Sequence, residues 1–139
     1  MRRQVIKATL DMSLKEVANL LFKHRISGVP VVNEKDEVVG EVTEKELIKA
    51  AVPNYSRMVD NVRAHLEVDP FETLIQQEDK ITARDLMASK FVTRSEETPV
   101  VELAALMLLN NVRRVEIVKD NKLIGIVVRS DIVGKIIRG

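Results

Sequence analysis

The sequence predicts an α+β fold that contains two copies of one βαββα unit. Three observations predict it: a helical pattern that recurs at an offset of 86 residues, two β-branched runs at the same offset, and a glycine that follows each run. In a chain of 139 residues each copy has about 60 residues, a size at which only about 60% of the unfolded surface is buried. We therefore expect the two copies to share one core.

The first long helix of each copy is indicated by apolar spacing of i, i+3, i+4 and i+7. The matching positions are Leu14, Val17, Ala18, Leu20, Leu21 and Phe22 in the first copy, and Val100, Leu103, Ala104, Leu106, Met107 and Leu108 in the second. This pattern predicts helices near 13–24 and 99–110. Thr98 and Pro99 are typical of a helix start, because Thr can cap the helix and Pro at its first position loses no hydrogen bond.

A hairpin follows each of these helices. Residues 29–32 and 115–118 are mostly β-branched, and a polar turn comes after each run. The second turn is one residue shorter, so the offset falls to 85 and Gly40 corresponds to Gly125. We expect these two glycines to hold equivalent places. The predicted strands are 5–8, 29–33, 37–43, 91–94, 114–118 and 123–128, and the closing helices are 44–52 and 130–137.

The predicted organisation is a first repeat over 1–52, a connecting segment over 53–80 and a second repeat over 81–139. Tyr55 to Leu66 in the connecting segment has helix-like periodicity, and Asp69 with Pro70 resembles another helix start. Its apolar residues need to be buried somewhere. The segment is therefore interpreted as a structural lid or a dimer contact rather than a flexible linker.

Composition excludes several classes of function. A net charge of +1 argues against a nucleic-acid surface, and the absence of cysteine excludes disulfides, thiolate metal sites and Cys nucleophiles. The only imidazoles are those of His24 and His65, far apart in sequence, so no metal site is expected. Because no apolar run approaches about 20 residues and no signal-peptide pattern is present, we expect a cytoplasmic protein that does not contact membranes.

Catalysis is not indicated by any sequence motif. The chain has no GxSxG, HExxH, Walker or GxGxxG pattern, and each of these patterns assembles the groups that its chemistry needs. We expect no enzyme activity, no catalytic residue and no required cofactor.

A family resemblance rests on two segments of the first copy and their counterparts in the second. His24 to Val32, followed by Gly40 to Leu47, resembles a cystathionine β-synthase (CBS) domain. Ile81 to Ile137 resembles another, including the segment Ala83 to Met87 that leads into it. The resemblance implies a tandem pair, or Bateman module, whose two sheets pack about a pseudo-two-fold axis. It also implies clefts that bind AMP, ADP, ATP or S-adenosylmethionine in many members, and pairing of modules into a homodimer.

The first cleft implied by the resemblance joins a strand edge of the first copy to a helix start of the second. The expected ligand contacts are Ile26, Ser27, Gly28, Val29 and Pro30 for the base, Ser130 and Asp131 at the helix start, and Arg114 toward the phosphate tail. Asp131 is expected on the ribose, because a carboxylate can accept hydrogen bonds from both hydroxyls. Gly28 is expected to let a base approach the backbone closely. Val128 replaces a hydroxyl that would help to hold phosphate.

The second cleft would join Thr98 and Arg113 to Thr43 and Glu46. Thr43 keeps the hydroxyl, but Glu46 has a longer side chain than the aspartate of the family pattern. We therefore expect the ligand in the first cleft.

Several alternatives remain open at this point. Asp131 and Glu46 are also explained as acids in the first turn of a helix, where the macrodipole favours them. Gly28, Gly40 and Gly125 are also explained as turn or close-packing glycines, and Arg113 with Arg114 as an exposed strand pair.

Two functions follow from the sequence. The leading hypothesis is a regulatory module that senses an adenosyl compound. The alternative is a structural or partner-binding scaffold with empty clefts. A homodimer is expected in both cases, because apolar helix residues such as Leu103, Met107 and Val133 need cover beyond a small core.

Overall fold

The computed structural model describes residues 5–52 and 80–138, which form two three-stranded sheets with helices packed against each. The α+β fold of two βαββα repeats is confirmed. The helices predicted after Tyr55 and Asp69 lie outside the described residues.

The first repeat begins with a short strand and a well-capped helix. Ser13 and Glu16 form a reciprocal capping box at its start, which satisfies backbone N–H groups that a helix leaves unpaired. Arg25 ends the helix in the left-handed conformation, with a φ of 53°. The elements of this repeat are β1 (Ala8–Thr9), α1 (Leu14–His24), β2 (Gly28–Val32), β3 (Val38–Thr43) and α2 (Glu44–Ala51).

The second repeat has the same order after an additional short helix, which the sequence did not predict. Its elements are α3 (Ala83–Leu86), β4 (Thr93–Arg94), α4 (Val100–Leu109), β5 (Arg114–Lys119), β6 (Lys122–Val128) and α5 (Arg129–Arg138). Two predictions are corrected here. Pro99 precedes the first helical residue, so Thr98 does not cap α4, which has no side-chain cap. The strands predicted over 5–8 and 91–94 are only two residues long, because each pairs only briefly along the central strand.

The sheet registers confirm the repeat. In each sheet the first strand pairs in parallel with the second, and the second pairs antiparallel with the third. Gly40 lies opposite Val31, and Gly125 lies opposite Ile117, which is the equivalent position. The register shifts immediately after each of these pairs, so even the irregularity of the hairpin is repeated.

Each repeat has its own hydrophobic core on the helical side of its sheet, so the expectation that the two copies share one core is wrong. In the first repeat Val29, Val31 and Val42 pack against α1, and in the second Val115, Ile117 and Val127 pack against α4. Leu103 and Met107 are buried in that second core, so the prediction that they form an uncovered face is wrong. The helical face of α4 that remains exposed carries other apolar residues.

The opposite sheet faces meet between the repeats. Side chains alternate across a strand, so Gly28, Pro30 and Glu41 point away from the first core, and Arg114 and Glu116 point away from the second. The side chain of Arg114 contacts Glu41 of the other repeat. This packing of one sheet on the other places the interface on the pseudo-two-fold axis.

The segment that leads into the second repeat packs on the first. The Leu14 N–H donates to the Ile81 carbonyl at 3.0 Å, and the Ala83 N–H donates to the Met12 carbonyl at 2.8 Å. Ala83 is fully buried in the first core. The start of the repeat in the sequence is therefore not the start of the second packing unit.

Candidate functional site

A cavity of about 350 Å³ opens between the two repeats. It lies where the start of β2 faces the start of α5, the two elements that the sequence predicted for the first cleft. Its lining residues are Ile6, Arg25, Ile26, Ser27, Gly28, Arg113, Arg114, Ile126, Val128, Arg129 and Ser130.

Most of the residues predicted for the first cleft lie in this cavity. Ile26, Ser27, Gly28, Arg114 and Ser130 line it. The structure does not place Val29, Pro30 or Asp131 among its lining residues. Val29 and Pro30 are buried within the sheet.

Asp131 lies in the first turn of α5. Its carboxylate accepts a hydrogen bond from the Val128 N–H at 2.9 Å, as the third residue of a capping box does. Its side chain also borders a separate cavity on the second repeat. This geometry matches the alternative of an acid at a helix start, and a ribose contact for Asp131 stays a prediction.

Arginines give the cavity its charge. Arg25, Arg113, Arg114 and Arg129 line it, and no aspartate or glutamate of the described residues does so. Arg114 is paired with the Glu41 carboxylate, so the positive charge of the cavity comes from the guanidinium groups of Arg25, Arg113 and Arg129. Arg25 and Arg129 were not predicted as site residues, although they directly precede Ile26 and Ser130, which were.

Arg114 lies at the centre of the interface and is only 4% exposed. It donates one hydrogen bond to Glu41 and another to the Ser27 hydroxyl, at 2.6 Å. The alternative of an exposed strand pair is therefore wrong for Arg114, although Arg113 is exposed.

Gly28 lies directly against this guanidinium group. A Cβ atom at Gly28 would stand 2.8 Å from Arg114 Nη1 and 3.0 Å from Thr43 Cγ2. A contact below 3.0 Å requires a shift, and Arg114 is held on two sides. The structure thus places an arginine over Gly28, where the sequence analysis expected a base.

Glu116 completes a buried charged cluster that the sequence analysis did not identify. Its carboxyl group is fully buried, and neither oxygen has a hydrogen-bond partner among the described residues. Burial, and then the negative charge of Glu41, raises the pKa of Glu116 to about 9. Glu116 is therefore neutral at pH 7, and Glu41 alone balances Arg114. The sequence feature that could have indicated a buried carboxyl group is the position of Glu116 within the β-branched run 115–118.

The residues predicted for the second cleft do not meet in one cavity. Thr43 and Glu46 form a capping box at the start of α2, in which the Thr43 hydroxyl donates to Glu46 Oε1 at 2.7 Å. Thr98 borders the separate cavity on the second repeat, and Arg113 lines the first cavity. A second ligand cleft made by these four residues stays a prediction.

Other kinds of site are not supported in the described part of the chain. No group of three or more His, Asp or Glu side chains there could hold a metal ion. None of its helices has the length and hydropathy that crossing a bilayer requires.

Comparisons with known proteins agree with this architecture. A family model described as the CBS domain matches residues 1–53 and 83–138. An uncharacterised protein of Methanopyrus kandleri is 34% identical over 132 residues, which are 94% of this chain and 57% of that protein. The inosine-5'-monophosphate dehydrogenase of Methanocaldococcus jannaschii is 30% identical over 94% of this chain, but only 21% of the dehydrogenase is covered. The chain thus spans just over half of the first relative and about a fifth of the second.

Solved structures share the fold. The CBS domain of a CBS-domain-containing membrane protein from Sphaerobacter thermophilus is 27% identical, with a TM-score of 0.72 over 94% of this chain and 80% of that one. CBSX2 of Arabidopsis thaliana, solved in complex with AMP, is 21% identical, with a TM-score of 0.74 over 99% and 90%.

Proposed function

The chain belongs to the CBS-domain family, and on that premise we propose that it is a regulatory module whose cavity between the repeats binds a phosphorylated adenosyl compound. The observation that carries this proposal is the set of four arginines around a cavity of about 350 Å³. That volume lies within the range of small-molecule sites. The AMP complex of CBSX2 supports a ligand of this class by analogy.

The charge of the cavity favours AMP, ADP or ATP over S-adenosylmethionine. Arginine donates paired hydrogen bonds that match the geometry of phosphate oxygens. S-adenosylmethionine has no phosphate and carries a positive sulfonium group, which the guanidinium groups of Arg25, Arg113 and Arg129 would repel. We therefore propose a nucleotide with one or more phosphates as the ligand.

The lining residues suggest an orientation for this nucleotide. Ile26 and Ile126 provide the apolar surface that a base needs. Arg129 and Ser130 lie at the start of α5, a ten-residue helix whose N-terminal N–H groups and partial positive charge attract phosphate. We place the base near the isoleucines and the phosphates near Arg129. The ribose then lies close to the helix turn that contains Asp131.

The proposal is tested by calorimetric titration of the protein with AMP, ADP, ATP and S-adenosylmethionine. We expect measurable binding of the nucleotides and at least about tenfold weaker binding of S-adenosylmethionine, a difference of about 1.4 kcal/mol. At a hundredfold excess over Kd, a bound nucleotide should stabilise the fold by about 2.7 kcal/mol. Tighter binding of S-adenosylmethionine would contradict the choice of ligand. No binding of any compound would favour the scaffold alternative.

Two variants assign the contacts. Arg129→Gln should weaken nucleotide binding by about tenfold or more, because a charge-assisted hydrogen bond contributes about 1.5–3 kcal/mol. Arg84→Gln is the matched control, since Arg84 is exposed on α3 and does not line the cavity. Asp131→Ala tests the ribose contact, and a change in affinity below about threefold in a folded variant would leave Asp131 with only its role at the helix start.

We also propose that the protein is a homodimer. Phe22 and Leu108 are 87% and 79% exposed at equivalent places in α1 and α4, and Ile48 and Val133 are exposed at equivalent places in α2 and α5. Exposed apolar residues that recur on both repeats favour a covered face. Light scattering should give twice the mass of one chain at tens of micromolar, and a mass of one chain would overturn the proposal.

A further inference from the structure

Arg114 contacts both the cavity between the repeats and a buried pair of carboxyl groups. It lines the cavity, and it is also the cation beside Glu41 and Glu116. In β5 it lies opposite Val128, the residue before α5, so its strand passes beside the helix start at which we place the phosphates. One guanidinium group is therefore within reach of a ligand phosphate and of two buried carboxyl groups.

The carboxyl pair is balanced in charge only while Arg114 contacts it. Glu116 is protonated at pH 7, because burial and the charge of Glu41 raise its pKa to about 9, so one negative and one positive charge remain. The neighbours of Glu116 in its own sheet are Thr93 of β4 and Ile126 of β6, and neither carries a charge.

Glu41 depends on Arg114 in the same way. Its neighbours in the first sheet are Pro30 and Ala88, which are uncharged, and the residue is only 8% exposed. Within the described residues, Arg114 is the one cation that contacts it. A buried carboxylate that loses its partner takes up a proton rather than staying charged, because water cannot solvate it.

We propose, on the premise of the nucleotide site proposed above, that a phosphate in the cavity draws Arg114 away from Glu41, and that the carboxyl pair of Glu41 and Glu116 takes up one proton from solvent. Ser27 favours this exchange. Its hydroxyl accepts from Arg114 Nη2 at 2.6 Å and also lines the cavity, so one side of the guanidinium group is already held at the cavity wall. The bound state then contains a paired arginine and phosphate and two neutral carboxyl groups.

Affinity for the nucleotide should therefore rise as the pH falls. Because the bound state holds one more proton than the free state, the affinity changes by up to about tenfold for each pH unit. The phosphate itself has the opposite effect, since its second pKa is near 6 and contacts with arginine favour its ionised form. At pH 7.5 the phosphate is ionised whether free or bound, so proton uptake at that pH comes from the protein.

The test is calorimetric titration of the full chain with AMP, ADP and ATP at pH 7.5, in HEPES and in Tris. The two buffers differ in ionisation enthalpy, so the difference in binding heat gives the number of protons taken up. We expect at least about half a proton for each nucleotide bound. Spectra of the chain labelled with ¹³C at the glutamate carboxyl carbons give a second readout. The signals of Glu41 and Glu116 should both lie at the protonated position with nucleotide, and only one of them without it.

The variant Glu41→Gln with Glu116→Gln removes both proton acceptors and should bind nucleotide without proton uptake. The matched control is Glu34→Gln with Glu44→Gln, which removes two carboxyl groups from exposed positions that do not line the cavity. Glu44 is close to the site in the chain fold, because its N–H donates to the Ser27 carbonyl at 2.9 Å. This control should take up protons as the unaltered chain does.

The outcomes separate this coupling from the nucleotide site itself. Binding to the unaltered chain without proton uptake, or equal uptake by both double variants, would overturn the coupling and leave the nucleotide site in place. Glutamate carboxyl signals that do not move when nucleotide is added would also overturn it, even if the variant without Glu41 and Glu116 fails to fold. No binding of any nucleotide would overturn both proposals.

Discussion

Gly28 and Arg114 hold equivalent places in the two repeats, at the first residue of β2 and of β5, yet Gly28 has no side chain and Arg114 has a long, positively charged one. The same contrast continues along the strands, where Pro30 corresponds to Glu116. On the neighbouring strands, Glu41 corresponds to Ile126. The buried charged cluster is therefore shared by the two repeats: Glu41 comes from the first and Arg114 and Glu116 from the second, and each stands where the other repeat has an uncharged residue.

The position of these residues on the axis explains the difference. Two equivalent residues meet there, so a pair of arginines would place like charges in contact. With glycine on one side, Arg114 can cross to Glu41 and Ser27 of the other repeat. The cavity then opens beside Ile126, where the other repeat has its charged glutamate. Asymmetry at the axis thus decides which side has room for a ligand.

The largest expected effect on stability comes from removing the buried ion pair between Arg114 and Glu41. Arg114→Met leaves Glu41 buried without its partner, and we expect a loss of about 3–5 kcal/mol in the free energy of unfolding. Urea denaturation at pH 7 measures it. Arg113→Met, at the exposed neighbour, should stay within about 0.5 kcal/mol. Adding Glu41→Gln to Arg114→Met should recover part of the loss, and a double variant no more stable than the single one would contradict a charge-based cause.

An intermediate effect is expected from Glu116→Gln, and it depends on pH. Because the pKa of Glu116 is raised from 4.5 to about 9, only the folded state keeps the proton between these values. Stability therefore falls by about 1.4 kcal/mol for each pH unit of this window, and it is unaffected by this group at lower pH. Glutamine removes the dependence, so the variant should gain about 2 kcal/mol over the unaltered chain at pH 6, which is about 1.5 pH units above 4.5, and little at pH 4.5.

Thermal melts across this pH range measure the effect of Glu116→Gln. Glu34→Gln, at the exposed tip of the first hairpin, should leave the profile unchanged. Parallel pH profiles for the unaltered chain and for Glu116→Gln would show that Glu116 is ionised in the folded protein.

The smallest expected effect on stability comes from giving α5 the same N-terminal cap as α2. Thr43 caps α2 with its hydroxyl, whereas the equivalent Val128 has no hydroxyl. Of the two capping-box hydrogen bonds, α5 therefore has only the one that Asp131 accepts from the Val128 N–H. Val128→Thr should add about 1 kcal/mol to the free energy of unfolding. It should also strengthen nucleotide binding, since Val128 lines the cavity. Val101→Thr, the same change at an exposed helical position, should do neither, and an equal gain from both would refute a capping effect.

The repeat in the sequence predicted what the two halves have in common. It located Gly40 and Gly125 at equivalent register positions, and the family resemblance implied that Ile26 to Gly28 face Ser130. The cluster of Glu41 and Glu116 escaped prediction, because an internal repeat gives no information on positions where the copies differ. Whether a glutamate is exposed or buried on an axis depends on packing between the copies, which periodicity within one copy does not contain.

The packing of Ala83 on the first repeat has a consequence for the order of folding. The hydrogen bond between Met12 and Ala83 closes a loop of about 70 residues, and such distant contacts form late because their loop entropy is lost before they stabilise the fold. A chain emerging from the ribosome has synthesised β1 to α2 long before residue 83 is available. The first repeat therefore cannot complete its hydrophobic core until residues 81–87 have been synthesised, so its folding finishes only after synthesis of the second repeat has started.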